Sequence, residues 1–129
     1  MTRTFYKLTD EYGRTRGDTQ WGPGVTHQAT GAGIDLCSDG YIHVYTDPLL
    51  AVLLNPIHAD ITAPRLWEGE TDDPAPLNDH GLKLGVKSFM TLRELAVPAV
   101  SPEQRVRFAL LAAQKVYSEP DWTAWAGGW

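Results

Sequence analysis

A single cysteine, Cys37, leaves this chain without an internal disulfide framework, which points to a reducing compartment. Long apolar runs are missing as well. The longest, residues 48–54 (Pro-Leu-Leu-Ala-Val-Leu-Leu), is far too short to cross a bilayer, and the first residues hold no apolar run of signal-peptide length. The expected location is therefore a cytoplasm, with no membrane partner. Basic residues are in the minority: 11 Lys and Arg stand against 16 Asp and Glu, a net charge of −5. That balance excludes the broad basic face that a nucleic acid polymer requires, and the acids are too scattered for a DNA mimic. Signature motifs are lacking too: there is no Gly-x-Ser-x-Gly, no Gly-x-x-x-x-Gly-Lys, no Cys-x-x-Cys and no His-Glu-x-x-His. His27, His43, His58 and His80 form no close pair, so neither a metal nor a cofactor is expected. Cys37 has no evident base beside it and reads as a small buried hydrophobe.

What is present suits an ordinary globular protein. The chain has 129 residues, 43% hydrophobic and 21% charged, enough for one domain with its own core. Residues 4–9 are rich in β-formers and end in a turn-prone Asp-Glu-Tyr-Gly. Residues 25–27 suggest a short strand, and residues 41–46, Tyr-Ile-His-Val-Tyr-Thr, alternate aromatic and β-branched side chains as strands do. Thr46-Asp47-Pro48 opens a buried helix that should stop at Asn55-Pro56, because the residue before proline is pushed out of the α region. Residues 57–61 and 64–70 look extended, 71–80 read as an exposed loop, and 81–86 and 88–95 as two strands, the second open to a helical turn instead. Ser101-Pro102-Glu103-Gln104 is a capping box for a helix to about Tyr117, with Val106, Ala109, Leu110, Ala113 and Val116 on one side. A short terminal helix carries Trp122 and Trp125. The expected fold class is α+β, an antiparallel β-sheet with one long C-terminal amphipathic helix and one or two short helices.

Aromatic side chains near isolated arginines carry the candidate chemistry. Trp21 sits in a polar stretch where propensity gives no reason for a large apolar group, and Trp67 follows Arg65 at the spacing that puts both on one side of a strand. Arg105 and Arg107 begin the long helix, where free backbone N–H groups also favour anions. An indole or phenyl ring stacks on a base, and paired arginines grip phosphate oxygens in a fork. Taken singly, each of these residues is more simply core or surface. Together they suggest a ligand site of Trp21 or Phe89 as stacker, with Arg65, Arg105 and Arg107 as basic groups. Trp122, Trp125 and Trp129 exceed what a short terminal helix can bury, which suggests a homo-oligomer.

Three stretches carry a resemblance: residues 6–10 through 19–22, residues 40–59, and residues 79–83 with 103–109. Across nearly the whole chain they resemble the small phage anti-Thoeris proteins that act as sponges for a signalling nucleotide. The resemblance implies a non-enzymatic protein that sequesters a cyclic ADP-ribose isomer in the cytoplasm of an infected bacterium, and relatives hold the ligand between subunits. Two other readings stay open: an enzyme processing such nucleotides, with His43, His58 or Glu94 as acid or base, and an inhibitor that docks on a host protein through its tryptophan-rich end.

Overall fold

The computed structural model describes residues 2–34, 38–58, 60–79 and 83–114. It is an α+β structure of antiparallel sheets with two helices among those residues. The chain forms two compact units, Met1–Pro98 and Ala99–Trp129.

In the first unit, strand β1 (Arg3–Thr9) opens one end of the larger sheet. It pairs with β6 (Arg65–Thr71), which pairs with β9 (Ser88–Leu95), which pairs with β4 (Val25–Gln28), giving a four-stranded sheet of order β1-β6-β9-β4. A three-stranded sheet of order β5-β8-β7 uses β5 (Ile42–Val44), β7 (Leu77–Asp79) and β8 (Lys83–Val86). The two sheets join at Tyr6 and Tyr45, whose backbones exchange hydrogen bonds of 2.8 Å in both directions. The expected strands near 4–9, 25–27, 41–46, 64–70, 81–86 and 88–95 all form, and 88–95 is a strand throughout.

Three features differ from the sequence expectation. A small hairpin, β2 (Arg14–Thr15) with β3 (Thr19–Gln20), turns through Gly17 and Asp18, both at positive φ; two-residue strands are too short to show periodicity. Leu77–Asp79 pairs with β8 although it lies in the proposed loop. Helix α1 (Pro48–His58) runs past Asn55-Pro56. A proline in the last turn forfeits one helical N–H bond, to the carbonyl of Val52. The chain beyond is held by Asn55, whose side chain accepts the Ile61 N–H at 2.8 Å and donates to the Ile61 carbonyl at 3.0 Å. The start of α1 is as expected: Asp47 Oδ1 accepts the Leu49 N–H at 2.8 Å.

Register explains the core. Alternation along paired strands puts Phe5, Lys7 and Thr9 of β1 on the same face as Trp67, Gly69 and Thr71 of β6, and Phe89 and Thr91 of β9 on the same face as Val25 and His27 of β4. Trp21 lies over this face. Its ring makes edge contacts with His27 at 4.7 Å and Phe89 at 6.1 Å, and it shares a cluster with Phe5, Val44, Leu84 and Val86. The neighbouring backbone is tied down from below, since Thr91 Oγ1 donates to the Gly22 carbonyl at 2.5 Å. Trp67, 1% exposed, donates its indole N–H to Thr9 Oγ1 at 3.0 Å, so its one polar atom is satisfied in the core.

In the second unit, helix α2 (Pro102–Gln114) begins with the expected capping box: Gln104 Oε1 accepts the Ser101 N–H at 2.9 Å, and Ser101 Oγ accepts the Gln104 N–H at 3.1 Å. Val106 and Leu111 are exposed on it. Its proposed continuation to Tyr117, the terminal helix with Trp122 and Trp125, and Trp129 lie outside the described residues, as do Cys37 and His80. Replacing Ser101 with alanine is expected to remove about 1 kcal/mol from this helix, read as faster amide exchange in its first turn.

Candidate functional site

The first unit opens into one large cleft of about 1620 Å³. One wall is the β2–β3 hairpin with Trp21. Another comes from β4 and the chain after it, from His27 to Thr30. A third is the segment from Ser38 to Tyr45, and Lys7, Leu8 and Asp10 of β1 and Lys83 of β8 complete the lining with Asn55, Ile61 and Thr62.

Side-chain hydrogen bonds brace the hairpin wall. Asp10 Oδ1 accepts the backbone N–H groups of Tyr12 and Arg14, both at 2.9 Å, which closes the turn into β2. Gly13 follows at φ 78°. A Cβ there would stand 3.0 Å from the Trp21 carbonyl and 2.9 Å from Gln20 Nε2, so glycine is required twice over. Gln20 Nε2 donates to the Tyr12 carbonyl at 2.8 Å, while Arg14 Nε donates to Gln20 Oε1 at 3.1 Å. The Trp21 indole N–H donates to Thr15 Oγ1 at 2.9 Å, and His27 Nε2 lies 2.6 Å from the Gln20 carbonyl. A carbonyl can only accept, so this contact puts the imidazole proton on Nε2.

Cationic and aromatic groups dominate the chemistry of the cleft. Lys7 is buried, 8% exposed, and its Nζ donates to the His43 carbonyl at 2.8 Å and lies 5.5 Å from the centre of the Trp21 ring. Burial pulls its ammonium from 10.5 down to about 8. Tyr45, also buried, is pushed up to about 12 for the same reason. Tyr41 stands with its ring centre 4.0 Å from Lys87 Nζ, which donates to the Gly40 carbonyl at 2.8 Å. Arg14 and Arg16 are exposed in the hairpin wall.

The residues singled out in the sequence are placed as follows. Trp21 is a core residue, 3% exposed, rather than an indole stranded in a loop; even so, it borders the cleft. Phe89, 1% exposed, is packed beneath Trp21 and against Gly69 and does not border this cleft. Arg65 and Trp67 do share one side of β6, the guanidinium 4.9 Å from the indole centre. The arginine's fork is taken, however, by both carboxylate oxygens of Glu94 at 2.8 and 3.0 Å, which raises the Arg65 pKa and lowers that of Glu94. Arg105 and Arg107 belong to the second unit, where the Arg105 backbone N–H donates to the Ser101 carbonyl at 3.1 Å and Arg107 is exposed. Lys7 belongs to no motif in the sequence. Its one signal is position: it alternates with Phe5 and Thr9 on the inward face of β1.

Among the described residues no group of three or more His, Cys, Asp or Glu is placed to hold a metal ion, and no helix is long and apolar enough to cross a membrane. No family model, curated protein or solved structure matches the chain.

Proposed function

We propose that this protein binds and sequesters a cyclic nucleotide immune signal, of the cyclic ADP-ribose isomer class, without cleaving it. On this reading it is a phage anti-defence protein that withholds the signal from a bacterial Thoeris effector, working as a homo-oligomer in the cytoplasm of the infected cell. The observation that carries the proposal is the cleft of about 1620 Å³, with Trp21, Tyr41 and Tyr45 in its walls and Lys7, Lys83, Arg14 and Arg16 as its cations. Its volume is above the roughly 300–1,000 Å³ of ordinary small-ligand pockets, so it has room for a molecule with two sugars, a base and a pyrophosphate. Rings suit the base, and cations suit the phosphates. The sequence resemblance supports the same class of ligand.

Capture and catalysis are separable by one experiment. The protein is incubated with a cyclic ADP-ribose isomer, isolated, denatured, and the released small molecule weighed by mass spectrometry. Recovery of unchanged ligand in a fixed ratio to subunits is the expected result. A changed mass would establish a processing enzyme, and recovery of no ligand would leave an inhibitor that acts on a host protein.

A further inference from the structure

The geometry points to Lys7 as the anion-binding centre of the cleft: its buried ammonium, with two hydrogen-bond donors uncommitted, takes a phosphate or pyrophosphate group of the ligand. This deepens the ligand-binding reading above and rests on it.

Burial comes first. Lys7 is in the middle of β1, between Phe5 and Thr9 on the inward face, and only 8% of it is exposed. A lysine in such a position is rare unless something pairs with it. Its Nζ carries three donors, and the structure uses one, toward the His43 carbonyl at 2.8 Å. The face of Trp21, 5.5 Å away, adds a modest cation–π attraction. Among the described residues no carboxylate pairs with Lys7, and the ion pairs present are Arg65 with Glu94 and Arg93 with Glu68.

The charged and titratable groups around it sharpen the point. Lys83 on β8 is likewise buried and borders the same cleft, and Arg14 and Arg16 add positive charge from the hairpin wall. From β5 comes His43, from just beyond it Tyr45, and from β4 His27, committed to the Gln20 carbonyl. The acids bordering the cleft are Asp10, Asp18 and Asp39. Asp10 is engaged by two backbone N–H groups, and Asp39 Oδ1 accepts the Gly33 N–H at 3.2 Å. A buried ammonium without a counter-charge is unfavourable, which is why burial lowers its pKa to about 8. A phosphate group in the cleft supplies both the missing charge and acceptors for the two spare N–H groups. Binding therefore draws a proton onto Lys7, and affinity falls as the pH rises past about 8.

The test is calorimetric titration with ADP, whose phosphates are fully ionised above about pH 7, and with adenosine, which has the ring without the phosphates. Wild type and Lys7→Gln are compared at about pH 7.5 and 9.5, with thermal melts to verify folding. ADP is expected to bind wild type well ahead of adenosine, and Lys7→Gln to weaken ADP about 10- to 100-fold at the lower pH. Moving wild type to the higher pH is expected to weaken ADP about 20-fold, from the smaller ammonium fraction, with little change in the variant. Failure of ADP to bind wild type, equal binding of ADP by both proteins, or the same pH dependence in both would overturn the assignment. So would adenosine binding as tightly as ADP. If ADP behaves as expected and a cyclic ADP-ribose isomer does not bind, the sequestration reading falls and the Lys7 assignment stands. If the isomer binds wild type and Lys7→Gln alike, the reverse holds.

Discussion

Lys7→Met is expected to be more stable than wild type at neutral pH, by about 2 kcal/mol, while losing affinity for phosphate-bearing ligands. Depression of the Lys7 pKa from 10.5 to about 8 corresponds to about 3 kcal/mol favouring the unfolded chain at low pH. Methionine removes that term and forfeits the hydrogen bond to His43, which contributes about 1 kcal/mol. The sign follows from proton counting. Below pH 8 both folded and unfolded wild type carry the proton, and the penalty is fully present. Between pH 8 and 10.5 the unfolded chain holds more of it, so stability from this group rises with pH. Tyr45, pushed up to about 12, acts in the opposite direction once the unfolded tyrosine ionises near pH 10. Denaturant midpoints measured from pH 7 to 10 should therefore show wild type closing most of its gap to Lys7→Met. A gap that is absent at pH 7, or constant across that range, would show that Lys7 is not held at an unfavourable charge.

The second large effect is expected at Gly69. A Cβ on this residue would collide with the Met90 carbonyl and stand 2.6 Å from Phe89 Cζ. The pairing of β6 with β9 shifts register between Glu68 and Gly69, so the strand is already irregular there. Neither neighbour can yield cheaply: the carbonyl is backbone, and Phe89 is packed beneath Trp21. Gly69→Ala is expected to cost about 3 kcal/mol, the upper end of the range for overpacking. Gly17→Ala is the contrast. Its Cβ would meet nothing within 4 Å, so only the strain of φ 76° remains, about 1 kcal/mol. Chemical denaturation of both variants decides the order, and equal losses would contradict this packing. Because Gly69→Ala disturbs the layer beneath Trp21, it should loosen the cleft wall as well.

Much of this architecture was legible in sequence because its signals are local. β-former content marked β1, alternation marked β5, β8 and β9, residues 64–70 read as extended, and Asp47 and Ser101 announced the helix starts with side chains that do cap them. The hairpin β2–β3 and strand β7 have too few residues for any period to register, and they form because neighbouring strands and Gly17-Asp18 impose them. Pro56 reads as a stop, yet tertiary ties at Asn55 and Ile61 carry the chain through it.

The site was harder to read than the fold. Trp21 drew notice as a tryptophan among polar residues, but what buries it is the face of a sheet assembled from strands far apart in the chain. Arg65 has the right neighbour in Trp67, but its partner is Glu94 on the adjacent strand, which only register reveals. Lys7 looks like the ordinary outward lysine of a half-exposed strand until the second layer over β1 is known.

Whether Lys7 is a buried ammonium without a counter-charge that takes up an anion is decided by NMR titration of its side chain. Selectively labelled lysine is followed from pH 6 to 11 in wild type, free and saturated with ADP, with Lys7→Met giving the assignment by its missing signal. A midpoint of about 8 is expected in the free protein, with a clear rise when ADP is bound. A free-protein midpoint near the ordinary 10.5, or one that ADP leaves in place, would contradict the Lys7 assignment.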